Sequence, residues 1–175
     1  MDRKHLVVAK YKEDTSWTKE VDPAWDIILY DKDKDVPNVG RDSHTFLYHI
    51  CLHYHNLADV TVFSQGSYKE HCKDLVYRLR RIVPGRGYTP LSDDIISIGP
   101  RQNTYYKEKD SIENCQRKFG LPVTVSEFPY GAFMAVDKEN ILKRPLSYYL
   151  NLLTMVSNDI KTCHELEYMW PGVFK

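Results

Sequence analysis

The chain has 175 residues, with 24 lysines plus arginines against 24 aspartates plus glutamates. A chain of this length buries roughly 70% of its unfolded surface and needs no disulfide or metal staple. Its 42% hydrophobic content excludes a disordered chain, and its zero net charge lacks the basic excess of a general nucleic-acid binder.

In chain order, residues 6–9 (Leu-Val-Val-Ala) and 26–30 (Asp-Ile-Ile-Leu-Tyr) are short apolar runs that read as buried strands. A polar stretch with Trp17 between them reads as a short helix. Over residues 42–57, Phe46, Leu47, Ile50, Cys51, Tyr54 and Leu57 fall at helical spacing, and residues 60–63 form a third strand. Strands alternating with helices predict an α/β fold: a mainly parallel sheet with helices on both faces.

Further along, residues 69–82 read as a helix ended by Pro84-Gly85-Arg86-Gly87, and residues 95–98 as a strand. A short helix is expected over 111–119, then strands over 123–125 and 131–136. Pro145 opens a helix with the stripe Leu146, Tyr149, Leu150, Leu153 and Val156. A last helix over 164–170 is expected to stop at Pro171-Gly172. No linker divides the chain, which reads as one domain over 1–175.

The four cysteines are scattered and match no zinc spacing, so they read as reduced core thiols. No signal peptide or membrane span is visible, and the expected location is cytoplasmic. His49 and His53 are spaced i, i+4 on the second helix, but without the glutamate of an HExxH pair they read as a solvated face. His44, in the first turn of that helix, is close enough in sequence to Arg41 to reach a ligand.

In parallel α/β sheets, ligands bind beyond the carboxyl ends of the strands. That rule selects residues 10–14, 31–35, 38–42 and 64–67. In Asn38-Val39-Gly40-Arg41-Asp42, the glycine permits close backbone approach to a ligand. The helix start attracts an anion, and Arg41 can grip phosphate with two donors. The plainer alternative is a turn with Asp42 as N-cap. Asp31-Lys32-Asp33-Lys34-Asp35 carries three carboxylates that a hard cation would accept. Its alternation with lysine favours a solvated loop instead, leaving Asp31 as the acidic residue facing a ligand.

These segments, in this order, resemble a nucleotide-sugar glycosyltransferase of the GT-A type. Asn38-Val39-Gly40-Arg41-Asp42-Ser43-His44-Thr45-Phe46-Leu47 is similar to the Asn-x-Gly-Arg-Asp segment of rhamnan-synthesis glycosyltransferases. Together with Val62-Phe63-Ser64-Gln65-Gly66, Gly131-Ala132-Phe133-Met134-Ala135-Val136, Arg144-Pro145 and Glu167-Tyr168-Met169-Trp170, it also resembles an uncharacterised family of small GT-A-like domains. The likeness runs from about Leu6 to Phe174 and is weakest over residues 70–120.

The resemblance implies a nucleotide-sugar-binding half over 1–66, with sheet completion and the acceptor side over 67–175. It implies transfer of a sugar from a nucleotide-diphosphate donor to a hydroxyl of a glycan or other acceptor. Donor-binding residues would be Tyr11, Glu13, Asp31, Asn38, Gly40, Arg41, Gln65 and Gly131. Glu167 and Asp42 would be the catalytic carboxylates, with Glu127 as a further candidate. Gly131-Ala132 would leave room for a sugar ring, and Trp170 would offer it an apolar wall. GT-A enzymes usually carry Asp-x-Asp after the third strand to hold a divalent metal. Here that place reads Phe63-Ser64-Gln65-Gly66, so no metal ligand is assigned and dependence on Mn or Mg stays open. The alternative is a non-catalytic nucleotide- or carbohydrate-binding module on the same scaffold.

Overall fold

The structure is a computed structural model that describes residues 2–97, 109–121 and 125–175. Its strands are β1 (Lys4–Lys10), β2 (Asp26–Asp31), β3 (Val60–Gln65), β4 (Tyr88–Pro90), β5 (Ile95–Ser97), β6 (Glu127–Pro129) and β7 (Met134–Asp137). Its α-helices are α1 (Arg41–His53), α2 (Leu75–Leu79), α3 (Lys109–Lys118), α4 (Lys138–Leu142), α5 (Leu146–Asn158) and α6 (Ile160–Phe174).

The main sheet has five strands in the order β2-β1-β3-β7-β4. β2 and β3 flank β1 in parallel, with Val7 opposite Ile28 on one side and Phe63 on the other. β7 runs antiparallel to both β3 and β4. The sheet is therefore mixed: its first three strands are parallel as expected, and the last two reverse. β5 and β6 form a separate antiparallel pair.

Both faces are covered. Val7 and Ala9 of β1 join Phe63, Met134 and Val136 beneath α1, α5 and α6. Leu6 and Val8 point the other way, with Val62 and Ala135, onto Trp17, Trp25, Leu75 and Leu79. Alternate residues feed two cores, which is why the strands are apolar without alternation. Among the described residues, no helix is long and apolar enough to cross a membrane.

Several elements depart from the sequence expectation. The helix read over 69–82 shrinks to α2, because the loop after β4 captures the preceding backbone. The Asp93 carboxylate accepts from Lys73 N at 2.9 Å, and Asp93 N donates to the His71 carbonyl at 2.6 Å. The strand read over 131–136 starts only at Met134, since Gly131 and Ala132 are left-handed at φ 80° and 57°. Ile98 and residues 123–124 lie outside the described residues, and Val125 is buried but in no strand.

Helix α6 runs through Pro171 instead of stopping there. Trp170, Val173 and Phe174 are almost fully buried, with Trp170 stacked on Phe174 at 5.4 Å. Burial of these side chains outweighs the helix hydrogen bond that proline removes. Trp170 is thus a core residue and offers no wall to a sugar. The histidines of α1 are likewise not a solvated face: His44 and His49 are buried, and His49 packs within 5.5 Å of His5 and 4.5 Å of His53. Helix α1 is wedged between β1 and β3 on one side and α5 and α6 on the other, so it has little surface to give to water. All four cysteines are free thiols.

Candidate functional site

The chain passes from β1 outward to β2, then returns through α1 to β3 on the other side of β1. This reversal leaves a crevice at the carboxyl ends of β1 and β3, the usual ligand position in such sheets. Because β7 is antiparallel, its entry turn, residues 130–133, meets the same edge. Helix α1 begins there, and one face of α6 closes the far side.

The result is a cleft of about 490 Å³ lined by Arg41, Asp42, Gln65, Gly131 and Glu167, all expected from the sequence. His71, Tyr130, Cys163 and His164 also line it and were not expected. Tyr11, Glu13, Asp31, Asn38 and Gly40 lie outside the lining.

The loop at the start of α1 is held from below by Lys32, which is only 5% exposed. Its ammonium donates to the carbonyls of Val39, at 3.2 Å, and Arg41. Burial pulls the Lys32 pKa down, and Asp42 opposes that by stabilising the charge. A lysine inside an alternating Asp/Lys run reads as solvated, so nothing local in the sequence marked it.

Gly40 takes the N-cap position of α1 at φ 62°, and no side chain caps the helix. A Cβ there would stand 2.7 Å from His44 Cβ and 2.9 Å from the Val156 carbonyl oxygen. Its close approach is therefore to α5, which corrects the expectation that Gly40 makes room for a ligand. Asp42 is not the N-cap either. It sits within the first turn of α1, where burial pushes its carboxyl pKa up to about 6. Lys32 and Arg41 pull that value down, while Glu167 and Glu13 reinforce the rise. His44 is buried behind the helix, stacked near Tyr48, and does not line the cleft.

Arg41 is exposed, adopts φ 47°, and brings Nη1 to 3.4 Å from His164 Nε2. Gly131 is clamped on both sides: its N–H donates to Glu167 Oε1 at 2.8 Å, and its carbonyl accepts from Gln65 Nε2 at 3.0 Å. A Cβ on Gly131 would meet the His71 ring at 2.7 Å, so on that side this glycine serves tight packing. Left-handed Arg41 and Ala132, neither a glycine, both line the cleft. Such conformations cost of order 1–3 kcal/mol each and gather at functional sites.

The remaining candidates form a second group on the same sheet edge. The Asp31 carboxylate pairs with Lys10 at 2.9 Å and accepts from Asp33 N at 3.0 Å. The Lys10 hydrogen bond holds its pKa below the usual carboxylate range. Asp35 accepts from Asp31 N, so these carboxylates fasten their own loop. Glu13 accepts from Tyr11 N, and a Cβ on Gly66 would stand 2.8 Å from Glu13 Oε2, over the end of β3. Asn38 is exposed.

Among the described residues, the cleft's Asp42, Glu70, His71, Cys163, His164 and Glu167 form no group at metal-ligand spacing. Ser64 is fully buried and Gln65 is engaged with Gly131, so the segment after β3 supplies no carboxylate of its own. Among the described residues, the grouping with metal-ligand spacing is Cys72, Asp74 and Asp93, away from the cleft. Arg78 already pairs with both of those carboxylates at 2.6 Å.

Residues 6–83 match the model of a family described as "Protein of unknown function (DUF3431)". The match runs from within β1 to just past α2, and takes in Arg41, Asp42 and Gln65, but reaches neither Gly131 nor Glu167. No curated protein and no solved structure matches the chain.

Proposed function

We propose that the cleft binds a nucleotide-diphosphate sugar and that the protein transfers the sugar to a hydroxyl acceptor, on a GT-A-like scaffold. The observation that carries this reading is the convergence of Arg41, Asp42, Gln65, Gly131 and Glu167 on one cleft at the carboxyl edge of the parallel strands. Arg41, exposed at the start of a thirteen-residue helix, supplies a two-donor grip and a favourable helix end for a diphosphate. Without a metal-holding carboxylate pair after β3, that cationic group and the helix end carry the stabilisation of the leaving diphosphate.

Of the three carboxylates that line the cleft, Asp42, Glu70 and Glu167, the first and last were candidates from the sequence, and their surroundings divide the roles. Glu167 has one oxygen committed to Gly131 N, which suits a positioning part. Asp42, with a pKa raised to about 6, suits the general base, because a base is most effective when its pKa lies near working pH. Asp42 thus takes the proton of the acceptor hydroxyl as the sugar carbon–oxygen bond forms, and the nucleoside diphosphate leaves.

The test is a thermal-shift panel of nucleotide sugars, with and without manganese, followed by assay of nucleoside-diphosphate release. A donor at 100 times its Kd stabilises the fold by about 2.7 kcal/mol. Stabilisation with release supports transfer. Stabilisation without release in the presence of varied acceptors favours the binding-module alternative, and a flat panel contradicts both.

A further inference from the structure

A second cavity, of about 360 Å³, lies on the opposite side of the sheet, between the end of α2 and strands β3, β7 and β4. This falls within the usual range for small-molecule sites, roughly 300–1,000 Å³. Its walls are apolar: Val60, Ile82, Val83, Pro90, Leu91 and Ala135. Its rim carries Arg78, Arg81 and Arg86.

The three arginines differ in what they already do. Arg78 is fully engaged, with its guanidinium on Asp74, Asp93 and the Leu91 carbonyl. It ties α2 to the loop after β4. Arg81 and Arg86 are exposed and form no ion pair among the described residues; Arg81 lies 4.9 Å over the Tyr77 ring. Arg86 is presented from a fixed loop, because the buried Asp137 carboxylate accepts from the backbone N–H groups of Gly85 and Gly87 on either side of it. Asp137 also lines the cavity, and both amides donate to one of its carboxylate oxygens, Oδ2. An apolar chamber is thus joined to two unpaired guanidinium groups, one of them held by a pinned loop.

We propose that this cavity is a second ligand site, and that it takes an anionic amphiphile: a phosphate or carboxylate head on an aliphatic or aryl body. The body fills the chamber over Val60 and Ala135, while Arg81 and Arg86 hold the head. Two guanidinium groups from different segments recognise an oxyanion with several donors at once. Neutral sugars lack the charge for this rim, and inorganic anions lack the body for this floor. The site is independent of the donor cleft, from which it is separated by the sheet.

The experiment is an NMR titration of the whole chain with octyl phosphate below its micelle concentration, with octyl glucoside and inorganic phosphate as controls. Octyl phosphate is expected to shift the Val60 and Ala135 methyls and the Arg86 amide, and to bind at least tenfold more tightly than either control. Arg81→Gln/Arg86→Gln, at exposed positions, is expected to weaken it at least tenfold without changing the thermal midpoint. Co-sedimentation with vesicles of phosphatidate but not phosphatidylcholine, lost in the same variant, would assign the amphiphile to a membrane. No co-sedimentation would assign it to a free metabolite. Equal binding of inorganic phosphate, unchanged affinity in the double variant, or shifts confined to the donor cleft would overturn the proposal.

Discussion

Replacing Asp42 with asparagine is expected to make the protein more stable and less active at neutral pH. The carboxyl group, only partly exposed, keeps its proton to about pH 6, whereas in the unfolded chain it ionises near its ordinary 3.8. Between those values the folded state binds more protons than the unfolded state, so stability falls as pH rises. The loss is complete above about pH 6. At about 1.4 kcal/mol per pH unit, the window corresponds to at most about 3 kcal/mol. Asparagine has a similar shape and no charge, so Asp42→Asn should recover roughly 1–3 kcal/mol at pH 7 and almost nothing at pH 4. Urea denaturation of both proteins at pH 4, 5, 6 and 7 measures this as a difference, in which the titration of other groups cancels. A constant difference across the series, or a variant less stable at pH 7, would refute the reasoning. Loss of turnover alongside gained stability is the trade expected when a site holds a strained group for chemistry.

Four further outcomes follow from named contacts. His49 is fully buried beside His5 and His53, and burial drives its pKa down to about 3. The fold should therefore lose stability as pH falls below about 6.5, by up to about 1.4 kcal/mol per pH unit, and His49→Phe should flatten that arm in acid titrations followed by circular dichroism. Gly131→Ala combines a left-handed φ with a clash against the His71 ring. A thermal-melt loss on the order of 1–3 kcal/mol is expected, and an unchanged melt would show that the turn yields freely. Lys32→Met leaves the Val39 and Arg41 carbonyls unpaired, at a cost on the order of 1.5–3 kcal/mol in urea, and should raise the Asp42 pKa further in carboxyl-detected NMR. Glu167→Gln retains an acceptor for Gly131 N and should keep most of the turnover if Asp42 is the base. A loss of 10²–10⁴-fold, the scale of general-base catalysis, would return that role to Glu167.

Much of the first third of the chain was legible because its signals are local. The runs in β1 and β3 are short and apolar without alternation, as strands buried on both faces must be, that of the half-exposed edge strand β2 is similar, and the intervening helical stripe fixed the crossover. The carboxyl-edge rule then selected Arg41, Asp42 and Gln65. What stayed hidden depends on contacts distant in sequence. The antiparallel return of β7 is set by pairing with β3, more than seventy residues earlier, and leaves no periodic mark of its own. Pro171 looked like a stop because its local effect is unfavourable; only the burial of Val173 and Phe174 reverses the balance. The α1 histidines looked solvated because the helix was expected to show one face to water, whereas His49 and His53 turn onto the sheet, against His5 of β1, with His49 also on Tyr30 of β2 and Phe63 of β3. Lys32 escaped notice for a similar reason: its lysine and aspartate neighbours suggest solvent, yet its ammonium is folded under the site.

The most direct test of the donor-site account is a calorimetric titration of the best nucleotide sugar from the panel into the wild type, Arg41→Ala and Lys34→Ala. Arg41 stands at the start of α1 in the cleft, while Lys34 is exposed in the loop after β2, 3.9 Å from Asp31. Loss of a charge-assisted two-donor contact costs on the order of 1.5–3 kcal/mol, which is roughly a 10- to 150-fold weaker Kd. The account predicts that loss for Arg41→Ala and a change below about twofold for Lys34→Ala. Equal affinities for all three proteins would contradict it.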